Sequence, residues 1–300
     1  MRVALLGSSG LLGSAFQEKF AGWPEWDVVT LSRSQSPHSA SHVQFESLGE
    51  AINVTRSGHF DLAINCIALA SHEGCEEDVE TAYAVNAEFP GKLAAACAQA
   101  GVRLIHISTD AVFDGPHSEP FTELDIPLPL SAYGRSKLEG ENQVLGEQPD
   151  ALVVRTNFFS WSVSGRNGVL DFFLNALTQG REVPGFTDYV TSSIYAGDLA
   201  NSLRDLVTLD YSGILHIVST SAVSKFEFGN LVAEVFGLRA DLIWESSLAS
   251  QTALTHRAPD LSLSPALIES ILLRSMPSTK EGLIRASEDS VAFTRYWAQT

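Results

Sequence analysis

The chain opens on Arg2–Leu6, an apolar run without alternation, and glycine follows at once. A strand buried on both faces of a sheet reads this way, because neither side of its pleat meets water. Runs of the same character recur at 27–31, 62–67, 102–107, 151–154 and 214–218. Between them, 82–100 and 136–145 space their apolar residues as helices do. Strand and helix in alternation predict an α/β fold, a Rossmann-type doubly wound parallel sheet. Farther on, Lys225–Phe236 and 265–273 read as helices joined by pieces rich in Ser, Ala and Pro, which predicts a smaller C-terminal substrate-binding domain. The expected division gives 1–156 and 195–220 to dinucleotide binding, and 157–194 and 221–300 to the substrate.

With 45% hydrophobic residues in 300, the chain can bury a sizeable core, which excludes a disordered or fibrous protein. Its formal net charge of −17 sets up a field that repels phosphate backbones and anionic headgroups, so neither nucleic acid nor a membrane surface is an expected partner. Any anionic ligand has to be held locally. No stretch approaches the ~20 apolar residues of a spanning helix. Gly7, Gly10 and Gly13 interrupt the apolar N-terminus and no small-residue cleavage site follows, so a secretion signal is not expected. Cys66, Cys75 and Cys97 are odd in number and lack the close pairing of a zinc or redox motif. Reduced thiols, no metal and a cytoplasmic location are the expectation.

Ligands of open α/β sheets bind outside the carboxyl ends of the strands, so the loops there are where chemistry is sought. Gly7-Ser8-Ser9-Gly10-Leu11-Leu12-Gly13 follows the first strand and opens a helix. Its glycines permit a tight turn and close approach to a pyrophosphate, and the helix N-terminus offers free N–H donors. Gly7, Ser9, Gly10, Leu11, Leu12 and Gly13 are therefore candidate contacts to a dinucleotide. The second strand ends at Ser32 and Arg33, roughly 20 residues on, where a carboxylate would bind the ribose of NAD. There is none. Arg33 is suited to a 2′-phosphate, which points to NADP with NAD as the other choice, although a solvated surface arginine gives the same pattern.

Ser108, Thr109 and Asp110 put two hydroxyls and a carboxylate at the end of the strand at 102–107. Tyr133 and Lys137, four residues apart, share one helix face. A free phenol has a pKa near ~10, and a fixed cation nearby lowers it, so Lys137 is expected to make Tyr133 acidic. Hydride addition builds charge on a carbonyl oxygen, and Tyr133 would supply the proton while Thr109 donates a hydrogen bond.

Taken together, Asn65-Cys-Ile-Ala68, Cys75-Glu76, Val85-Asn86, Ser108-Thr-Asp-Ala-Val-Phe-Asp-Gly115, Phe121-Thr-Glu123, Tyr133-Gly-Arg-Ser-Lys-Leu-Glu-Gly-Glu141, Arg155-Thr156, Asp198-Leu-Ala200 and Arg257-Ala-Pro-Asp-Leu-Ser-Leu263 form one pattern. In it the chain resembles the extended short-chain dehydrogenase/reductases, and within them the dTDP-4-dehydrorhamnose reductase family. The resemblance implies a catalytic triad of Thr109, Tyr133 and Lys137, with Lys137 also on the nicotinamide ribose. It implies that Cys66, Ile67, Ala68 and Asn86 help to seat the cofactor, and that Leu69, Ser108, Asp110, Ala111 and Asn157 face a nucleotide-activated deoxysugar whose keto group is reduced by NADPH or NADH. Related dehydratases carry Glu where this chain has Ala111, which argues against dehydration. A homodimer is a further expectation.

Some positions depart from that pattern. Leu69 replaces a usual His or Tyr, His72 stands where a small apolar residue is common, and Ser192-Ser193-Ile194 replaces a Pro-Thr signature. His72 reads as a packing histidine or as an added acid/base, and Trp161 as core or as a stacking platform for a nucleobase. Another reaction of the superfamily, such as epimerisation, and a non-catalytic role like that of the regulatory beta subunit of methionine adenosyltransferase, are the alternative readings.

Overall fold

The computed structural model describes residues 1–34, 41–115, 117–162, 164–165, 168–251 and 255–289. The expected second domain therefore includes residues, 290–300 among them, that lie outside the described ones. Seven strands form one sheet in the order Gly213–His216, Leu152–Arg155, Arg103–Ile107, Leu62–Asn65, Arg2–Leu6, Asp27–Ser32 and His42–Gln44. Every neighbouring pair is parallel. The chain lays its first strand at the centre, builds outward to one edge, then returns and builds towards the other. A crevice results at the carboxyl ends of Arg2–Leu6 and Leu62–Asn65, the switch point at which such sheets bind ligands.

The unalternated runs are apolar because both sheet faces are covered. Val3 and Leu5 point into a layer with Phe16, Ile64, Ile105, Leu199 and Leu203. Ala4 and Leu6 point the other way, onto Leu31, Ala63, Phe89, Leu93 and Val153. The expected doubly wound sheet is thus present. The run at 214–218 pairs only over Gly213–His216, and His42–Gln44 was not anticipated, being a three-residue edge strand with little apolar signal. The stretch 82–100 is not one helix: Val79–Tyr83 leads into a π-helical turn, Ala84–Glu88, and then the helix Phe89–Ala100.

A second core gathers Phe159, Trp161, Phe173, Val183, Tyr195, Phe228, Val232 and Leu283 beyond the carboxyl edge of the sheet. Trp161 belongs to this core, with its indole N–H donating to the Ala286 carbonyl at 2.9 Å, so packing accounts for it. Short strands frame the region: Val190–Thr191 pairs with both Val223–Ser224 and Asp260–Leu261, and Val183–Phe186 pairs with Ile243–Ser246. Downstream, Ile268 and Met276 pack back into the first layer. No helix among the described residues is long and apolar enough to cross a membrane.

Candidate active site

The glycine loop is shaped by close backbone contacts. Gly7 has φ +80° and donates its N–H to the Leu31 carbonyl at 2.8 Å. A Cβ on Gly13 would lie 2.3 Å from the Gly7 carbonyl oxygen, so only glycine lets the helix Leu11–Phe20 come so near the strand. No side chain caps that helix, and Ser9 and Gly10 are exposed at its start. Its first N–H groups are thus available to an external anion, and a dinucleotide pyrophosphate fits this cradle. Arg33 is exposed at the end of the neighbouring strand, whereas the Ser32 hydroxyl turns back to the Ser34 carbonyl at 2.6 Å. Ala68 is exposed, and Cys66 and Ile67 are half-buried beside the loop. Burial pushes the Cys66 thiol up to about 12, which makes it a packing group, not a thiolate.

Asn86 is presented by the π-helical turn, but its amide is already engaged. It accepts from the Leu69 amide at 2.8 Å and donates to the Leu69 carbonyl and the Ser136 hydroxyl, each at 3.0 Å. Asn86 therefore fixes the loop at 65–69, and any cofactor contact would come through that loop. Leu69 packs with Cys75, Ala82 and Ala132 against Tyr133.

Tyr133 stands in the first turn of the helix Ala132–Glu147, which is capped by the Ser131 hydroxyl accepting from the Gly134 amide at 3.0 Å. Glu76 accepts from the Ala132 amide at 2.6 Å. A Cβ on Gly134 would be 2.1 Å from the Ala111 carbonyl oxygen, so this glycine lets the helix lie directly on the turn that carries Thr109. The Tyr133 phenol lies beside the Thr109 hydroxyl, which acts on it electrostatically. Thr109 in turn donates to Asp110 at 3.0 Å.

One expectation is overturned. Lys137 does not lower the phenol: burial pushes Tyr133 up, with Asp110 and Cys75 adding to the rise and only the Thr109 contact opposing it. The reason is geometric, because the Lys137 ammonium reaches across to the neighbouring strand and donates to the Ile107 carbonyl at 2.7 Å. Burial brings Lys137 itself down to about 8, against the pull of Glu141. His106, missed in the sequence, completes this corner. Asn65 accepts from the Ile67 amide, its side-chain nitrogen lies 3.1 Å from His106 Nδ1, and His106 Nε2 lies 3.4 Å from Lys137 Nζ. Burial and the lysine hold this imidazole neutral.

Asp110 is buried, and its other oxygen accepts from Asn157 at 2.7 Å; burial raises its carboxyl to about 6 despite these bonds. Asn157 also accepts from Ser193. Asp110, Asn157 and the remodelled 192–194 loop thus form one polar wall beside Thr109. Ser108 is not part of it. Its hydroxyl points away, to Glu141, which pairs with Arg155 at 2.7 Å. Ala111 is buried in the turn beneath Gly134. The His72 ring lies 4.8 Å from that of Tyr133, and burial above all, with Arg257 next, lowers it to about 4. A neutral imidazole packed on the phenol agrees with the packing reading.

Comparison with known proteins identifies the family. The family described as RmlD substrate binding domain matches residues 1–290. A probable low-salt glycan biosynthesis reductase, Agl14, of Haloferax volcanii is 37% identical over 94% of this chain and 96% of its own. The dTDP-4-dehydrorhamnose reductase of Mycobacterium tuberculosis is 35% identical over 79% of this chain and 76% of its own. A crystal structure of a dTDP-4-dehydrorhamnose reductase from Clostridium acetobutylicum superposes with a TM-score of 0.84, at 26% identity over 96% of this chain and 99% of that one. The chain belongs to the RmlD family, the dTDP-4-dehydrorhamnose reductases among the extended short-chain dehydrogenase/reductases.

Proposed function

We propose that the protein reduces a keto group on a nucleotide-activated deoxysugar with NADPH. The observation that carries this reading is the contact between the Tyr133 phenol and the Thr109 hydroxyl beside the glycine-loop crevice. When bound, the cofactor supplies the hydride. Gly7 and residues 9–13 hold its pyrophosphate, Arg33 its 2′-phosphate, the loop at 66–68 its nicotinamide end, and Lys137 its ribose. With substrate bound, the Thr109 hydroxyl turns from Asp110 to donate to the carbonyl oxygen, and Tyr133, kept protonated by burial, gives that oxygen its proton as negative charge grows there. Asp110, Asn157 and Leu69 bound the sugar, which is assigned to residues 157–194 and 221–300. Ala111 offers no further acid for dehydration.

The test is to follow NADPH oxidation with dTDP-4-dehydrorhamnose and related ketosugars. Tyr133→Phe should lower turnover by about 10²–10⁴ and leave NADPH binding intact. Reduction at the full rate by this variant would remove Tyr133 from the chemistry. Calorimetric titration should also show tighter binding of NADPH than of NADH, and the reverse order would discard Arg33 as the phosphate clamp.

A further inference from the structure

A cavity of about 150 Å³ opens beside the polar wall, and Asn157, Thr191, Ser193, Ser224, Tyr189 and Lys225 are among the residues lining it. Asn157 belongs to both, so the cavity begins one hydrogen bond from Asp110. The serine and threonine hydroxyls of the lining are already committed to the protein. Ser193 donates to Asn157, which leaves Thr191 as the donor to Ser193 at 3.0 Å, and Ser224 donates to Glu227 at 2.9 Å.

Among the described residues, Lys225 is the one charged side chain in that lining. Its ammonium stands 5.2 Å from the centre of the Tyr189 ring. Among the described residues it has no carboxylate partner, and the one charge acting on it is that of Arg257, of the same sign. Arg257 is different, being paired with Glu73 at 2.7 Å. In a chain with 36 acidic and 19 basic side chains, a part-buried lysine left without a carboxylate is unexpected, since an uncompensated cation loses hydration and gains nothing for it. A π face alone compensates weakly. A bound oxyanion would complete the arrangement.

We propose that Lys225 is the fixed cation of an oxyanion subsite next to the reacting end, where it receives either a phosphoryl oxygen of the carrier diphosphate or a carboxylate borne by the sugar. This deepens the reductase reading and rests on it for the identity of the substrate, while the binding chemistry is measurable without turnover.

The experiment titrates NADPH-loaded protein, wild type and the variants Lys225→Met and Lys225→Arg, with dTDP, UDP-glucose and UDP-glucuronic acid by calorimetry. Loss of a charge-assisted hydrogen bond implies that Lys225→Met weakens its anion roughly tenfold or more, and that Lys225→Arg restores most of it. Weakening towards dTDP and both UDP-sugars assigns the diphosphate. Weakening confined to UDP-glucuronic acid assigns a sugar carboxylate. If Lys225→Met folds as the wild type does, by its urea midpoint, and binds all three ligands equally well, the subsite is refuted. Should no ketosugar be reduced while the variant still loses affinity, the reductase reading falls and the subsite stands.

Discussion

Replacing Glu141 by alanine should destabilise the protein by about 3–5 kcal/mol, the penalty for leaving one member of a buried ion pair alone. The side chains of Glu141 and Arg155 are only 1% and 3% exposed. Arg155 Nε contacts both carboxylate oxygens at 3.1 Å, Nη2 reaches one of them at 2.7 Å, and the Ser108 hydroxyl donates to the same group. Without the carboxylate, these donors lose their acceptor where water does not reach, and a guanidinium cannot shed its charge. The Phe113 ring, 5.1 Å from the guanidinium carbon, offers no more than about 0.5–2 kcal/mol in return. Against a total stability of about 5–15 kcal/mol, the effect is large. Urea unfolding followed by circular dichroism measures it, with midpoint and slope fitted for each variant. Removing both charges, Glu141→Leu with Arg155→Met, should recover most of the loss, because no unpaired ion remains. A loss below about 1 kcal/mol in Glu141→Ala would mean that the pair is hydrated, and the reasoning would fail.

Gly13→Ala puts a methyl group 2.3 Å from the Gly7 carbonyl oxygen, so the loop has to open. Overpacking of about 1–3 kcal/mol is expected, together with weaker NADPH binding, and unchanged urea midpoint and calorimetric affinity would contradict the role given to this contact. For Asp110, burial raises the carboxyl from 3.8 to about 6, so the native state keeps a proton that the unfolded chain has lost between those values. The stability this group contributes is complete below pH 3.8 and disappears as the pH rises through 6, a change of about 3 kcal/mol at 1.36 kcal/mol per unit. Asp110→Asn should remove that part of the pH dependence in urea titrations between pH 4 and 6; an identical slope in both proteins would show the carboxyl to be already ionised.

What could be read from the sequence was mostly what backbone geometry decides locally. The strand-loop-helix around Gly7–Gly13 needs glycine for reasons of close approach, and the apolar runs need cover on both faces, so each announced itself. Tyr133 and Lys137 were legible as a pair on one helix, but not their surroundings. The carbonyl that holds Lys137 belongs to Ile107 and the nearby imidazole to His106, both on another strand, so spacing along the helix gave a false partnership. Ser108 looked like a site hydroxyl from its place at a strand end, yet its direction is set by Glu141, a residue 33 positions away. Lys225 was visible only as the first residue of a helix. Its lack of a carboxylate is a property of what the fold brings near it.

The helix Ala132–Glu147 touches its neighbours with bare backbone at both Gly134 and Gly140, where a methyl group would sit 2.1 Å from the Ala111 and Asn86 carbonyl oxygens. Tyr133 and Lys137 are thereby mounted on a frame whose two struts tolerate no added carbon, and the proton-handling corner is locked to the loop at 65–69 by way of Asn86. Divergence towards new sugars has little room on that side. It has to work through the opposite wall, where Asn157, Ser193 and Lys225 stand on side chains that can be exchanged without moving the frame.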